Sequence, residues 1–325
     1  MNGTAMSADA WNKPYIALVF GICGVSTGAI FARLADAPAL TIAAYRVGLT
    51  VVLLAPAIWL GARRELLRLE ARDFALAAIS GVFLALHFAT WISSLNHTSV
   101  ANSVVLVNTN PVWVGLLTPF TTGDRMTRRT MAAIAVSVAG GIIIGWGDLA
   151  IGGGALWGDF LALCGSFCAA GYLLIGRKLR AKLGLLAYVG VCYGSAAAVL
   201  WPIVFFSGSA YSGFHMSTWA AFFGLAVVSQ IIGHTSYNWA LKWFSANMIA
   251  ISLLGEPILA SLMAWRLFDE PLTTVKLLGG ALILIGIYVA ASAESAPKRT
   301  EPCKTPFYPP AQVQKRSFRC LTNIY

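Results

Sequence analysis

Leu253-Leu254-Gly255-Glu256-Pro257 places a carboxylate beside a proline inside an apolar run that extends from Ser245 to Phe268. A buried acid in hydrocarbon is costly unless it faces a protein-lined, hydrated space, which makes Glu256 a functional-site candidate. Pro257 removes one helix hydrogen bond and frees the carbonyl of Leu253. The arrangement recurs 146 residues earlier: Pro257 falls on Pro111, Glu256 on Asn110, Glu270 on Asp124, Thr273 on Thr127 and Gly286 on Gly140. The chain therefore reads as built twice, with two Asn/Glu-Pro helices as matched centres.

Of the 325 residues, 58% are hydrophobic and 11% charged, against a charged fraction of about 25% in soluble domains. A bilayer core about 30 Å thick needs roughly 20 apolar residues per helix. That ruler marks ten segments, at 14–33, 38–60, 72–94, 98–121, 129–147, 155–177, 183–206, 217–241, 245–268 and 272–292. The expected fold is an all-α membrane protein with ten transmembrane helices. Five spans per half is an odd number, so the halves 14–147 and 155–292 must enter the membrane from opposite sides, as inverted repeats around a central cavity. Nineteen of the 23 Lys and Arg fall on one side of this topology and three on the other, which places both termini in the cytoplasm. The +10 charge thus orients the protein and gives no reason to expect a nucleic-acid partner. Residues 293–325 turn polar and proline-rich, as expected of a disordered cytoplasmic tail.

Ala35-Asp36-Ala37 resembles a signal-peptidase site, but the preceding segment carries only Lys13 in its n-region and is read as a retained span. The six cysteines include no Cys-x-x-Cys, and read as small apolar residues. Gly24-Val25-Ser26-Thr27-Gly28 fits G-x-S-x-G on paper yet lies within an apolar helix, the wrong context for a nucleophile turn. No metal, cofactor or enzyme motif is found.

The polar residues at membrane depth are the candidate site. His87 and Trp91 in the third span, and His234, Tyr237 and Asn238 in the eighth, each share one helix face. Asn102, Asn110 and Trp113 in the fourth span and Tyr172 in the sixth complete the expected substrate-binding set. Interhelical polar glue is the plainer explanation for any one of them, but not for their concentration in some spans and avoidance of the fifth and tenth. Those two, with Gly141 and Gly145 or Gly279, Gly280 and Gly286, read as scaffold. Arg46 either anchors a substrate carboxylate or serves structurally, pairing with helix-end carbonyls or Glu256 or snorkelling to an interface. Glu256 is either a proton-coupling carboxyl or an acid that stitches helices. Pro111 and Pro257 are the expected hinges.

The pattern Asn110-Pro111 … Gly123-Asp124-Arg125-Met126-Thr127 … Gly140 and its copy Glu256-Pro257 … Asp269-Glu270-Pro271-Leu272-Thr273 … Gly286 resembles the EamA-type drug/metabolite transporters. On overall likeness the chain is most similar to YddG-like amino-acid exporters. The first copy departs from the pattern, with Asn110 for Glu256 and Asp124 for the usual glutamate. The resemblance covers about residues 14–292. It implies a monomeric, multi-pass protein of the bacterial inner membrane that exports small metabolites by alternating access. Bulky apolar or aromatic amino acids are the leading substrates, and apolar drugs the alternative. An intramembrane enzyme would need a poised residue pair, which the sequence does not offer. Its partners would be the small-molecule substrate and the lipid bilayer, without cofactor or metal.

Overall fold

The computed structural model describes residues 8–98, 100–121, 127–146, 154–269 and 273–293. The proposed tail 293–325 beyond Ala293, the turn residues Asp124 and Glu270, and the side chains of Asn102, Gly141 and Gly145 lie outside the described residues.

Among the described residues the chain is entirely helical apart from its connections. In order it forms α1 (Ala8–Ser26), α2 (Gly28–Leu34), α3 (Ala39–Leu66), α4 (Ala71–Ser94), α5 (Val100–Val107), α6 (Asn110–Thr121), α7 (Arg128–Trp146), α8 (Gly154–Arg180) and α9 (Leu185–Phe206). Then come α10 (Met216–Gly224), a π-helical stretch (Leu225–His234), α11 (Thr235–Ala240), α12 (Ala246–Leu253), α13 (Glu256–Phe268) and α14 (Thr274–Ala293). Eight helical segments are long and apolar enough to cross a bilayer, and Leu277–Val289 is a shorter apolar helix. The protein is an all-α membrane protein.

Four segments expected to be continuous are interrupted. Pro111 and Pro257 lack the N–H that would bond the carbonyls of Val107 and Leu253, and at those residues α5 and α12 end. The chain resumes as α6 at Asn110 and as α13 at Glu256, so both breaks fall at repeat-equivalent positions. Ser245 caps α12, its Oγ accepting from the Met248 N–H at 3.1 Å, the usual role of a serine at a helix start. The first segment breaks at Thr27, whose Oγ1 donates to the Gly24 carbonyl at 2.7 Å and lies 2.9 Å from Ser229 Oγ. Opposite it the eighth segment widens into the π-helical stretch, closed by Thr235 N–H donating to the Gln230 carbonyl.

Glycines set these crossings. A Cβ on Gly24 would come 2.6 Å from the Gly233 nitrogen, and one on Gly233 2.8 Å from the Val25 nitrogen, so both backbones meet where lipid offers no hydrophobic drive and close packing must do the work. The broken segments pack head to tail, α5 against α13 and α6 against α12. α7 packs on α14 at Gly140, where a Cβ would sit 2.6 Å from the Gly279 carbonyl oxygen.

Candidate functional site

The two breaks open onto one cavity, lined also by α1, α3, α4, α8, the end of the π-helical stretch and α11. Val107 and Leu253, whose carbonyls the prolines free, both contribute to its wall, together with Asn110 and Glu256 at the starts of the following helices. Discontinuous helices that turn backbone polarity toward an interior site are a device membrane proteins use where a solute or ion must be met at depth. The cavity encloses about 30 Å³, space for solvent but not for an amino acid.

Arg46 lies in the wall and is 1% exposed. Its Nε donates to Gln230 Oε1 at 2.8 Å, and its guanidinium stands 4.0 Å from the centre of the Phe88 ring and 5.8 Å from that of Trp91. Among the described residues no carboxylate pairs with it, so the expected pairing with Glu256 gives way to an amide and two aromatic faces. Glu256 instead accepts from Asn108 Nδ2 at 3.2 Å. Arg46 and Glu256 therefore face one small space without a direct ion pair between them. Among the described residues, Arg46 Nη1, Trp91 Nε1, Tyr237 Oη and Asn110 Oδ1 are buried with no hydrogen-bond partner. A polar atom so placed costs on the order of 1–3 kcal/mol, and all four belong to cavity-lining residues.

The aromatic and histidine stripes meet as the helix spacing requires. His87 stacks with Trp91 at 6.0 Å, and its Nδ1 lies 2.9 Å from the Gly165 carbonyl oxygen. His234 stands 5.2 Å from Phe88, 6.1 Å from Tyr172 and 6.3 Å from His87. Of the expected substrate-binding residues, His87, Trp91, Asn110, Tyr172, His234 and Tyr237 line the cavity. Asn238 stands behind it, accepting from Tyr172 Oη at 2.7 Å and donating to Tyr193 Oη at 2.9 Å. Trp113 is set apart from the lining, edge-on to Phe167 at 5.6 Å.

Asn108 was missed by the sequence reading. On an unbroken helix it would point about 200° away from Asn110, and only the break turns both toward the cavity. Gln230, one turn before His234 in the π-helical stretch, supplies the Arg46 partner. Among the described residues no cluster of His, Cys, Asp and Glu could hold a metal ion.

Two side-chain clusters lie outside the cavity lining. Toward the 207–215 connection, Tyr45 stacks on Phe222 at 4.5 Å, meets Trp201 and Trp219 edge-on, and donates from Oη to the Tyr211 carbonyl at 2.7 Å. Toward the 181–184 connection, Arg180 Nε donates to the Asn238 carbonyl at 2.9 Å and Arg177 Nη1 to that of Leu241 at 2.7 Å.

The EamA-like transporter family matches residues 13–146 and, a second time, residues 156–292. The chain belongs to the EamA-like transporter family. It is thus a membrane transporter and not an enzyme, handling a small-molecule substrate in a lipid bilayer, and its double match indicates an internal repeat. An uncharacterized transporter of Archaeoglobus fulgidus is 25% identical over 64% of this chain and 73% of its own. The uncharacterized transporter YyaM of Bacillus subtilis is 23% identical over 79% of this chain and 85% of its own. A probable amino-acid metabolite efflux pump of Escherichia coli K12 is 26% identical over 54% of this chain and 61% of its own. A solved crystal structure superposes with a TM-score of 0.69 at 19% identity, over 87% of this transporter and 99% of that chain, a likeness of fold.

Proposed function

We propose that this transporter exports zwitterionic amino acids, foremost bulky apolar or aromatic ones, by alternating access around the cavity between the broken helices. The carrying observation is that Arg46 and Glu256 face one aromatic-walled space without pairing with each other. A zwitterion would satisfy both. Its carboxylate would meet Arg46 Nη1 and the free donors Trp91 Nε1 and Tyr237 Oη. Its ammonium would meet Glu256, Asn110 Oδ1 and the carbonyls released by Pro111 and Pro257. The apolar side chain would lie against Trp91, Tyr172 and Phe88. The likeness to YddG-like exporters and the relative named as a probable amino-acid metabolite efflux pump point the same way.

In this reading residues 14–147 and 155–292 are two five-helix repeats of opposite orientation. The head-to-tail packing of α5 with α13 and α6 with α12 supports that inversion. The charge bias of the connections supports cytoplasmic termini in a bacterial inner membrane, and the protein acts as a monomer. Because the cavity is too small for a substrate, transport requires the two repeats to separate on one side of the membrane at a time. Pro111 and Pro257 supply the hinges. Glu256 is the proton-coupling group if flux is uphill. An imposed pH gradient should then drive accumulation in proteoliposomes, and Glu256→Gln should abolish it.

Counterflow in proteoliposomes loaded with each of the twenty amino acids tests the proposal. Saturable exchange of aromatic and large apolar amino acids is expected. Loss of saturable exchange for all twenty, with resistance to apolar drugs on expression, would move the reading to a drug extruder. That alternative is disfavoured by the charged pair in the wall, which an uncharged apolar drug would leave unmatched.

A further inference from the structure

A second concavity lies away from the transport cavity, on the flank where α3 and α9 face the lipid. It is a groove of about 670 Å³, with Val51, Ile58 and Leu66 of α3 and Phe74 of α4 among its walls and Gly190 and Gly194 of α9 in its floor. The groove exists because α9 carries no side chain at Gly194: a Cβ there would meet nothing within 4 Å. At one end stands Arg63, its guanidinium 4.4 Å from the centre of the Trp59 ring. Among the described residues no carboxylate pairs with Arg63. Arg64, Arg68 and Arg72 follow in the same connection.

The dimensions are those of one leaflet. From Val51 to Arg63 the helix rises roughly 18 Å at 1.5 Å per residue, close to half of the hydrocarbon core of about 30 Å. The groove thus begins near mid-membrane and ends at a cation over a tryptophan, where headgroups start and such residues anchor. We infer that this groove binds an anionic glycerophospholipid of the leaflet on the basic side. An acyl chain would lie between α3 and α9 over Gly194, beside Ile58 where that side chain covers Gly190, and its phosphate would rest on Arg63 beside Trp59. A second copy of the chain is the poorer occupant. A two-fold contact would oppose the same patch on both copies, bringing Arg63, Arg64 and Arg68 against themselves.

The test uses the full chain purified in a neutral detergent and titrated with phosphatidylglycerol or phosphatidylcholine of identical acyl chains. Retained lipid is read by native mass spectrometry and thermal unfolding is followed in parallel. Phosphatidylglycerol should be retained about fivefold better, the preference one basic residue confers near a membrane surface. Arg63→Gln should erase that preference, Gly194→Leu should lower retention of both lipids, and Gly194→Ala, which leaves the groove open, should keep the wild-type pattern. Equal retention of both lipids by the wild type, or a preference that survives both Arg63→Gln and Gly194→Leu, would overturn the proposal. So would a change from dimer to monomer in Gly194→Leu with lipid retention intact, which would make a second copy the occupant. Should Gly194→Leu fail to fold, the exposed Arg63→Gln decides alone.

Discussion

The two proline-broken segments and the α7–α14 pair are both apolar and are opposite in use. Between α5 and α6, and between α12 and α13, a proline interrupts the hydrogen-bond ladder, and Asn108, Asn110 and Glu256 gather at the gaps around the cavity. α7 and α14 run unbroken and press backbone to backbone at Gly140 and Gly279, and the cavity has no wall from either. Nor is the scaffold pair free of polar cost, since Ser137 Oγ is buried there without a partner. The lesson is that polarity alone does not mark a site in lipid. Unmatched charge together with an interrupted backbone does, because both leave groups that only a solvent molecule or a solute can satisfy.

The comparison can be broken hardest at Arg46. Arg46→Met keeps the bulk and the stacking on Phe88 but removes the charge. Leaving a buried charge unmatched costs about 3–5 kcal/mol, so counterflow should fall at least about 100-fold while the protein remains monodisperse. Retained exchange would show that Arg46 is structural. A change on the scaffold side should do the reverse. Gly140→Leu forces a side chain onto the Gly279 carbonyl, an overpacking worth about 1–3 kcal/mol. Thermal unfolding should occur earlier, with exchange per folded molecule unchanged.

Restoring the ladder sharpens the comparison at smaller scale. Pro257→Ala returns an N–H to the Leu253 carbonyl, a bond worth about 0.5–1.5 kcal/mol. If the break is a hinge, the variant should unfold later and exchange about two- to tenfold more slowly, and Pro111→Ala should behave alike. The smallest effect is expected from Tyr237→Phe. Among the described residues Tyr237 Oη has no hydrogen-bond partner, so stability should hold or rise, while half-saturation for an amino acid shifts about threefold as one hydrogen bond to substrate is lost.

Much of this was legible in the chain. The 146-residue offset located both breaks because each copy sets a polar residue before its proline; proline alone does not, since Pro56, Pro119 and Pro202 lie within continuous helices. The His87/Trp91 stripe held because α4 is regular through it, and His234 and Tyr237 share the cavity across the step from the π-helical stretch into α11. What could not be read depends on departures from that spacing. Asn108 reaches the cavity only through the break. The π-helical stretch around Gln230 carries no proline, and its glycines signal close packing without the extra residue per turn. Trp113 and Asn238 failed to reach the wall because a stripe fixes a helix face but not the depth of the neighbour it meets: Tyr172 stands between Asn238 and the cavity, and Trp113 meets Phe167 away from it.

The central claim is that the space between the broken helices is where the solute sits. Ala169 lines that space, so Ala169→Cys in a background with Cys23, Cys164, Cys168, Cys192, Cys303 and Cys320 replaced by alanine makes it chemically addressable. Labelling by a small methanethiosulfonate should slow in the presence of an aromatic amino acid, with half-protection at the concentration that half-saturates counterflow. A labelling rate unchanged at saturating amino acid, in a protein that still exchanges it, would place the solute elsewhere and contradict the account.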